Sequence, residues 1–226
     1  MATDVKDIVI LVSQLYNDEI TFSGYSITSD GDRVSGAKWL EYLNSAFKAI
    51  ANARPDILVT TSNYALVTGS YQALPEDGVR LIDITRNKGV AGTTEGSPVT
   101  KADREDLEAV NPEWHSNVQA SGIEVSAYCY DARYPRIFYI YPAITAPTYV
   151  ELIYSFIYSV DAYDDHVYVS SNFDEALVDY MLYMAYSMDD DSVQNRELSI
   201  KYLNKFYQEL GMQAQTALLG GAQDEV

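Results

Sequence analysis

Residues that could act as nucleophiles or metal ligands are few and scattered along the chain. There are two histidines, His115 and His166, and one cysteine, Cys129. A catalytic thiol needs a base beside it, and a metal ion needs several ligands at characteristic spacings. Neither histidine belongs to an HExxH or CxxH pattern, and Cys129 lies between two tyrosines like an ordinary strand residue. We therefore predict a protein that is not an enzyme, with no catalytic residue, no metal ligand and no cofactor.

Carboxylates are abundant, and the charge balance follows from them. The 226 residues hold 33 acidic and 15 basic side chains, a net charge of −18. This charge argues against a large basic surface for nucleic acid and against an anionic membrane as partner. No apolar run is long enough to span a membrane, and the first residues lack the pattern of a signal peptide. We expect an acidic, soluble, intracellular protein. With one cysteine it has no intrachain disulfide, so it either works in a reducing compartment or needs no disulfide for stability.

Tyrosine is unusually frequent, with 20 Tyr against 6 Phe and 2 Trp. Tyrosine supplies broad amphipathic contact area and is enriched at protein interfaces. In the candidate strands 136–141 and 149–158, both faces are apolar or aromatic, whereas a strand with one face in water should alternate. Burial inside the monomer and contact with a neighbouring subunit both explain this pattern. On the second explanation, the predicted subunit-interface residues are Tyr139, Tyr141, Tyr154, Phe156 and Tyr158.

The hydrophobic period changes twice along the chain. A period near 3.6 predicts helices over 3–16, 36–53, 173–187 and 193–210, and a short helix over 101–110. Alternation between them predicts strands over 57–67, 69–74, 79–86, 123–130, 136–141 and 149–158, with a turn at 142–147. The polar stretch 17–35 is predicted as a loop with one extended piece near 20–25.

These elements predict an α+β fold in which helices from both ends of the sequence form a bundle. An antiparallel β-domain is inserted between them, and an extended C-terminal tail follows. The predicted parts are 1–56 for the N-terminal helices, 57–170 for the β-domain, 171–211 for the C-terminal helices and 212–226 for the tail. Gly211 is the expected cap that ends the last helix.

Seven strings in fixed order resemble a known family. They are LNSA at 43–46, RPD at 54–56, RLID at 80–83, NPEWH at 111–115, YDAR at 130–133, FYIYP at 138–142 and LVDY at 177–180. Together they are similar to the head-to-tail adaptor (head-tail connector) proteins of short-tailed bacteriophages. The resemblance covers roughly 36–210, and the stretch 17–35 and the tail after 211 show no match.

The resemblance implies a structural virion protein without catalytic residues. Adaptors of this kind form a dodecamer, a ring of twelve copies that binds the portal protein above and the tail nozzle or hub below. The ring encloses the channel through which genomic DNA passes without specific binding, and it is assembled in the host bacterial cytoplasm. The segment 212–226 follows the expected helix cap and carries apolar residues separated by small and polar ones, so it gains little by folding on its own subunit. We predict that it is a portal-docking arm, similar in placement to the C-terminal extension of related adaptors, and a terminus without a role is the alternative. Its candidate anchors are Met212, Leu218, Leu219, Asp224 and Glu225.

Two alternatives to the adaptor remain open. The abundant carboxylates could supply an acid–base pair, which would make the chain a tail-associated glycan hydrolase. The acidic clusters at 30–32, 164–165 and 189–191 could instead hold Ca²⁺ in a carbohydrate- or calcium-binding β-module, although none has the spacing of the twelve-residue calcium loop. For 189–191, capping of the following helix is the simpler interpretation.

Overall fold

The computed structural model describes residues 3–115, 124–188 and 192–212. In this part the fold is α+β, with five helices and sheets in which all strand pairs but one are antiparallel, as the change of period predicts. The helices are α1 (Val5–Leu15), α2 (Gly36–Ala53), α3 (Arg104–Val110), α4 (Asp174–Met188) and α5 (Val193–Glu209). The strands are β1 (Thr21–Ser23), β2 (Ser26–Ser29), β3 (Val59–Ala65), β4 (Gly69–Ala73), β5 (Gly78–Gly89), β6 (Thr100–Lys101), β7 (Ala127–Tyr130), β8 (Ile137–Ile144) and β9 (Tyr149–Phe156).

The described residues divide into two compact units. The helical unit consists of 3–54 and 158–212, and the β unit consists of 55–157. The stretch 158–170, which the sequence pattern groups with the strands, lies in the helical unit. Its backbone holds the start of α1, because Val5 N–H donates to Asp165 O at 3.0 Å and Lys6 N–H donates to Tyr163 O at 3.2 Å.

In the helical unit, α4 packs against α1, α2 and α5. Each helix buries one apolar stripe: Val5, Ile8 and Val12 on α1, and Trp39, Leu43 and Phe47 on α2, are at most 2 % exposed. Ser35 begins α2, since its side chain accepts a hydrogen bond from Lys38 N–H, and Ser192 begins α5 by accepting from Asn195 N–H. Burial of these stripes, more than local helix propensity, stabilises the helices.

The β unit contains two sheets, with strand orders β3-β9-β5 and β4-β8-β7-β6. All pairs are antiparallel except β6 with β7. Alternate residues of β8 and β9 point into one core, which contains Phe138, Ile140, Val150, Leu152 and Tyr154. The core therefore buries one face of β8 and one face of β9.

Some strand limits differ from the prediction. Residues 142–144 continue β8 instead of forming a turn, because Ile144 pairs with Gly69 at the start of β4, across an irregular register. The peptide bond between Tyr141 and Pro142 is cis. β7 begins at Ala127, while 123, the first residue of the predicted strand, lies outside the described residues, and β5 extends to Gly89. The short helix in this region begins at Arg104 because 100–101 form β6.

The connection 17–35 is ordered around one carboxylate, a feature that the loop prediction misses. The Asp18 side chain is 8 % exposed and accepts hydrogen bonds from the N–H groups of Asp32, Arg33 and Val34, each at 2.8 Å. Between these points the chain forms the hairpin β1–β2. Gly31 is required here, because a Cβ atom would come within 2.4 Å of Val34 O. Asp18 thus ties the end of α1 to the start of α2.

The end of α5 is closed by two sets of hydrogen bonds. Gly211 has φ of +70°, as expected for a glycine cap. Gly211 N–H donates to Gln208 O and Met212 N–H donates to Tyr207 O, both at 2.9 Å, which is the Schellman pattern. Arg54, just after α2, donates from Nη1 to Leu210 O at 2.6 Å. The carbonyl groups of Tyr207, Gln208 and Leu210 are therefore satisfied without any residue beyond Met212.

Candidate interaction surfaces

The residues that could do chemistry have structural partners. Burial raises the pKa of the Cys129 thiol, which is 3 % exposed. His115 stacks on Trp114 with ring centroids 3.7 Å apart, and its pKa is lowered by burial and then by Arg104. His166 lies 2.7 Å from Asp4 Oδ1 in the helical unit. Among the described residues, no hydrogen bond joins either histidine to the thiol, and no cluster could hold a metal ion.

The described acidic clusters accept hydrogen bonds from backbone N–H groups close to them in sequence. Asp30 Oδ1 accepts hydrogen bonds from Gly31 N–H and Gly36 N–H at 3.0 and 2.7 Å. Asp165 Oδ2 accepts from Asp161 N–H and Ala162 N–H, each at 3.0 Å. The third cluster, 189–191, lies outside the described residues. The two described clusters therefore shape turns, as short acidic side chains commonly do.

One face of the four-stranded sheet is aromatic and partly exposed. Tyr71 on β4 pairs with Tyr139 on β8, and their rings lie 5.8 Å apart at 74°. Tyr139 also contacts His115, with ring centroids 5.2 Å apart. Tyr71 is 51 % exposed, and Tyr141, two residues along β8, is half-buried. We call Tyr71, Tyr139 and Tyr141 the tyrosine face.

The five predicted interface residues lie in different environments. Tyr139 and Tyr141 belong to the tyrosine face. Tyr154 is 5 % exposed in the β core, and half-buried Phe156 packs against that core. Tyr158 lies in the helical unit, where its hydroxyl donates to His166 O at 2.6 Å and its ring contacts Phe47. The sequence prediction does not include Tyr71, because alternation with the polar residues Ser70 and Gln72 predicts a buried tyrosine, whereas the structure buries Ser70 and Gln72 and exposes Tyr71.

Beside the tyrosine face lies a cleft with an unusual share of the basic residues. The cleft has a volume of about 1020 Å³, and Cys129, Tyr130 and Tyr139 line it. Four of the chain's 15 Lys and Arg residues surround it: Arg80, Lys101, Arg104 and Arg133. Arg104 pairs with Glu108 at 2.6 Å and Arg133 with Asp131 at 2.7 Å, while Lys101 has no side-chain partner among the described residues. Three acidic residues, Asp103, Glu105 and Asp131, also line it. Its four cations still outnumber its carboxylates in a chain of net charge −18, and we call it the basic cleft.

The predicted docking residues lie mostly outside the described part of the chain. Met212 is the last described residue, 36 % exposed, and follows directly on the capped end of α5. Leu218, Leu219, Asp224 and Glu225 fall in 213–226, outside the described residues. The structure therefore shows where this segment begins, at the capped end of α5.

A comparison with models of protein families gives a match. The model of a family described as SU10 adaptor protein matches residues 3–224, nearly the whole chain. A comparison with curated proteins gives no match. Within the described residues, no helix is long and apolar enough to cross a membrane.

Proposed function

Because the chain belongs to the SU10 adaptor protein family, we propose that it forms the adaptor ring between portal and tail of a short-tailed bacteriophage. Membership of this family makes the chain a structural component of a phage virion, with other head and tail proteins as its partners and a non-enzymatic role. The finer proposal is a ring of twelve copies that binds the portal protein above and the tail nozzle or hub below. The ring is assembled in the host cytoplasm and lies at the portal vertex.

The observation that carries this proposal is the extent of the family match. It spans 3–224 and so includes residues of both compact units. In the proposed arrangement, α1, α2, α4 and α5 form one bundle as the body of each subunit, and the β unit provides side contacts. No comparable observation supports the binding of a glycan or a calcium ion, so we do not propose the hydrolase or the carbohydrate- and calcium-binding module.

We propose that the tyrosine face and the basic cleft beside it contact the neighbouring subunit in the ring. A closed ring needs two different complementary patches on each subunit. Exposed tyrosine and arginine are the side chains that most often dominate interface energies. The basic cleft complements a neighbour whose net charge is −18. Tyr154 contributes to the β core on this arrangement, and Tyr139 and Tyr141 take the contact.

We also propose that acidic side chains from loops face the channel or open solvent. A negatively charged wall repels phosphate groups, so DNA can slide past without binding. A channel lined mainly by lysine and arginine in a reconstruction of the portal vertex would contradict this arrangement.

A direct test of the function is assembly with purified portal rings. We expect the chain to add a ring of its own to each portal ring, visible as added mass by mass photometry and as a layer in electron micrographs. A chain that stays monomeric with portal rings present, at micromolar concentrations of both, would refute the adaptor proposal.

The side contact makes a separate prediction about two exposed tyrosines. Tyr71 belongs to the tyrosine face and Tyr134 lines the basic cleft, and they are 51 % and 63 % exposed. Replacing both by serine should weaken ring assembly by about ten-fold or more. Folding should be preserved, because both side chains are largely in solvent already. The ring fraction is measured by analytical ultracentrifugation over a concentration series.

Tyr168→Ser is the matched control, since Tyr168 is 59 % exposed but lies in the helical unit. It should leave the ring fraction unchanged. Rings that form at the same concentration in the double variant and in the wild type would show that the tyrosine face and the basic cleft are not the side contact.

A further inference from the structure

A groove in the helical unit has an apolar lining that lies open to solvent. Residues of α1, α4 and α5 line it, and its volume is about 420 Å³. Leu11 and Leu15, one turn apart on α1, are 47 % and 48 % exposed and line it together with Ile8 and Val178. Exposed leucines one helical turn apart can pack against the apolar face of another helix. We call this site the α1–α4–α5 groove.

The polar residues of the groove are mostly acidic. They are Asp7 on α1, Asp174, Glu175 and Asp179 on α4, and Glu209 on α5, with Lys205 as the cation among the lining residues. A neighbouring protein segment with basic side chains would therefore be attracted to the groove, and an acidic segment would be repelled.

Asp179 is the most informative of these residues. It lines the groove yet is only 8 % exposed, and no described residue donates a hydrogen bond to its carboxylate or forms an ion pair with it. Burial raises its pKa to about 6, with Glu209 and Glu175 adding to this effect and Lys205 and Lys201 opposing it. Asp174, in the same groove, accepts a hydrogen bond at Oδ2 from the Thr3 hydroxyl at 2.7 Å, while its Oδ1 is buried without a partner among the described residues. A buried carboxylate without a partner destabilises the fold, and an incoming cation would remove that cost.

We infer that the α1–α4–α5 groove binds a helix of the portal protein that carries apolar side chains one turn apart and a lysine or arginine. The apolar side chains pack on Leu11 and Leu15, and the cation pairs with Asp179. This inference rests on the proposed adaptor function, which supplies the portal as partner.

Two observations favour the portal over other occupants. The groove includes Lys205 and Glu209 in the last turns of α5, next to Leu210 and Gly211, where the proposed docking arm leaves for the portal. The arm itself is a poor occupant, because 213–226 contains no lysine or arginine and includes Asp224 and Glu225. The groove thus extends the proposed portal contact onto the helical unit.

The test uses the full chain with its C-terminal segment intact, purified portal rings, and two variants. The first variant, Leu11→Gln with Leu15→Gln, removes the exposed apolar side chains of the groove. The second, Asp179→Asn, removes the negative charge of the carboxylate at nearly constant side-chain volume. Each should weaken portal binding by about ten-fold or more. The control is Val193→Gln with Ile200→Gln, two α5 residues that are 72 % and 40 % exposed, and it should bind like the wild type.

Asp179→Asn carries a second readout that distinguishes lost contact from damaged folding. Because the folded-state pKa of Asp179 lies above 3.8, the wild type loses stability as pH rises from about 3.8 to about 6. The variant lacks this loss, so above pH 6 it should unfold at a higher temperature than the wild type. The charged and titratable groups that act on this carboxylate are Glu175, Glu209, Lys201, Lys205 and Tyr202, and Asp7 and Asp174 line the same groove. None of them is changed. Weaker portal binding together with higher stability is the expected signature.

Photocrosslinking identifies the occupant. With a benzophenone side chain in place of Leu15, crosslinks should join a portal segment that contains lysine or arginine. Unchanged portal binding in both variants would overturn the inference, as would crosslinks only to a second copy, to a hub protein or to residues 1–2 of the same chain. A wild type that does not bind the portal at all would instead refute the proposed function, before any variant is compared.

Discussion

A chain that stops after Met212 should stay folded and lose about a hundred-fold or more of its affinity for portal rings. The fold should survive because α5 ends on hydrogen bonds that need no later residue: Met212 N–H to Tyr207 O, and Arg54 Nη1 to Leu210 O. The affinity should fall because the removed segment 213–226 contains Leu218 and Leu219, the predicted apolar anchors. Circular dichroism follows folding, and binding is measured on immobilised portal rings.

A full-length variant with Leu218→Ser and Leu219→Ser is the companion experiment. It keeps the length and charge of the segment and removes only the apolar anchors, so it should reproduce most of the loss. A truncated chain that joins portal rings with wild-type affinity would show that 213–226 is not a docking arm.

Asp18→Ala should lower the free energy of unfolding by about 3 kcal/mol at pH 7, because three buried or partly buried N–H groups lose a charged acceptor. Burial by itself would raise the pKa of Asp18, but the hydrogen bonds from Val34, Arg33 and Asp32 outweigh it, and the pKa is lowered below 3.8. The contribution of Asp18 is therefore complete above pH 3.8 and is lost as pH falls through its lowered pKa. Urea unfolding at pH 7 and at pH 3 measures both effects.

Asp32→Ala is the matched control, since it removes the same charge from an exposed side chain of the same loop and should change stability by less than about 0.5 kcal/mol. Gly31→Ala should resemble Asp18→Ala, because the new Cβ would lie 2.7 Å from Asp18 Oδ2. Equal stability of the Asp18 and Asp32 variants would contradict the assigned role of the Asp18 carboxylate.

The long helices were predictable because each buries a single stripe with a clear period. The stripes of α1 and α2 place Ile8, Val12, Trp39 and Phe47 in the core, where the sequence pattern puts them. The extended piece predicted near 20–25 contains β1, but its partner β2 was not predicted, because each strand has only one half-buried apolar residue, Phe22 or Ile27, and a single residue gives no alternation to detect. A single carboxylate at Asp18 organises that region, and hydrogen bonds to backbone N–H groups leave no period in the sequence.

The candidate surfaces were predictable only in part. Strand alternation identifies Tyr139 and Tyr141 as one face of β8, but it cannot tell whether Tyr154 on β9 faces the core or a neighbour. No sequence pattern indicates that Asp179 is buried, because an acidic residue next to apolar helix positions is normally expected at the solvent-exposed edge of the helix. Its burial depends on α1 and α5 packing beside α4, which is tertiary information that no local pattern holds.

The hydrogen bond from Arg54 to Leu210 has a mechanical consequence. Arg54 follows α2 and Leu210 follows α5, so the bond joins the ends of two helices 156 residues apart in sequence. A pulling force on residues beyond Met212 would be carried by the backbone of α5 and, through this guanidinium, by α2 as well. Peeling of α5 from its C-terminal end would first have to break a charged hydrogen bond in addition to the Schellman pair. The end of α5, where this segment begins, is thus stabilised against a pulling force.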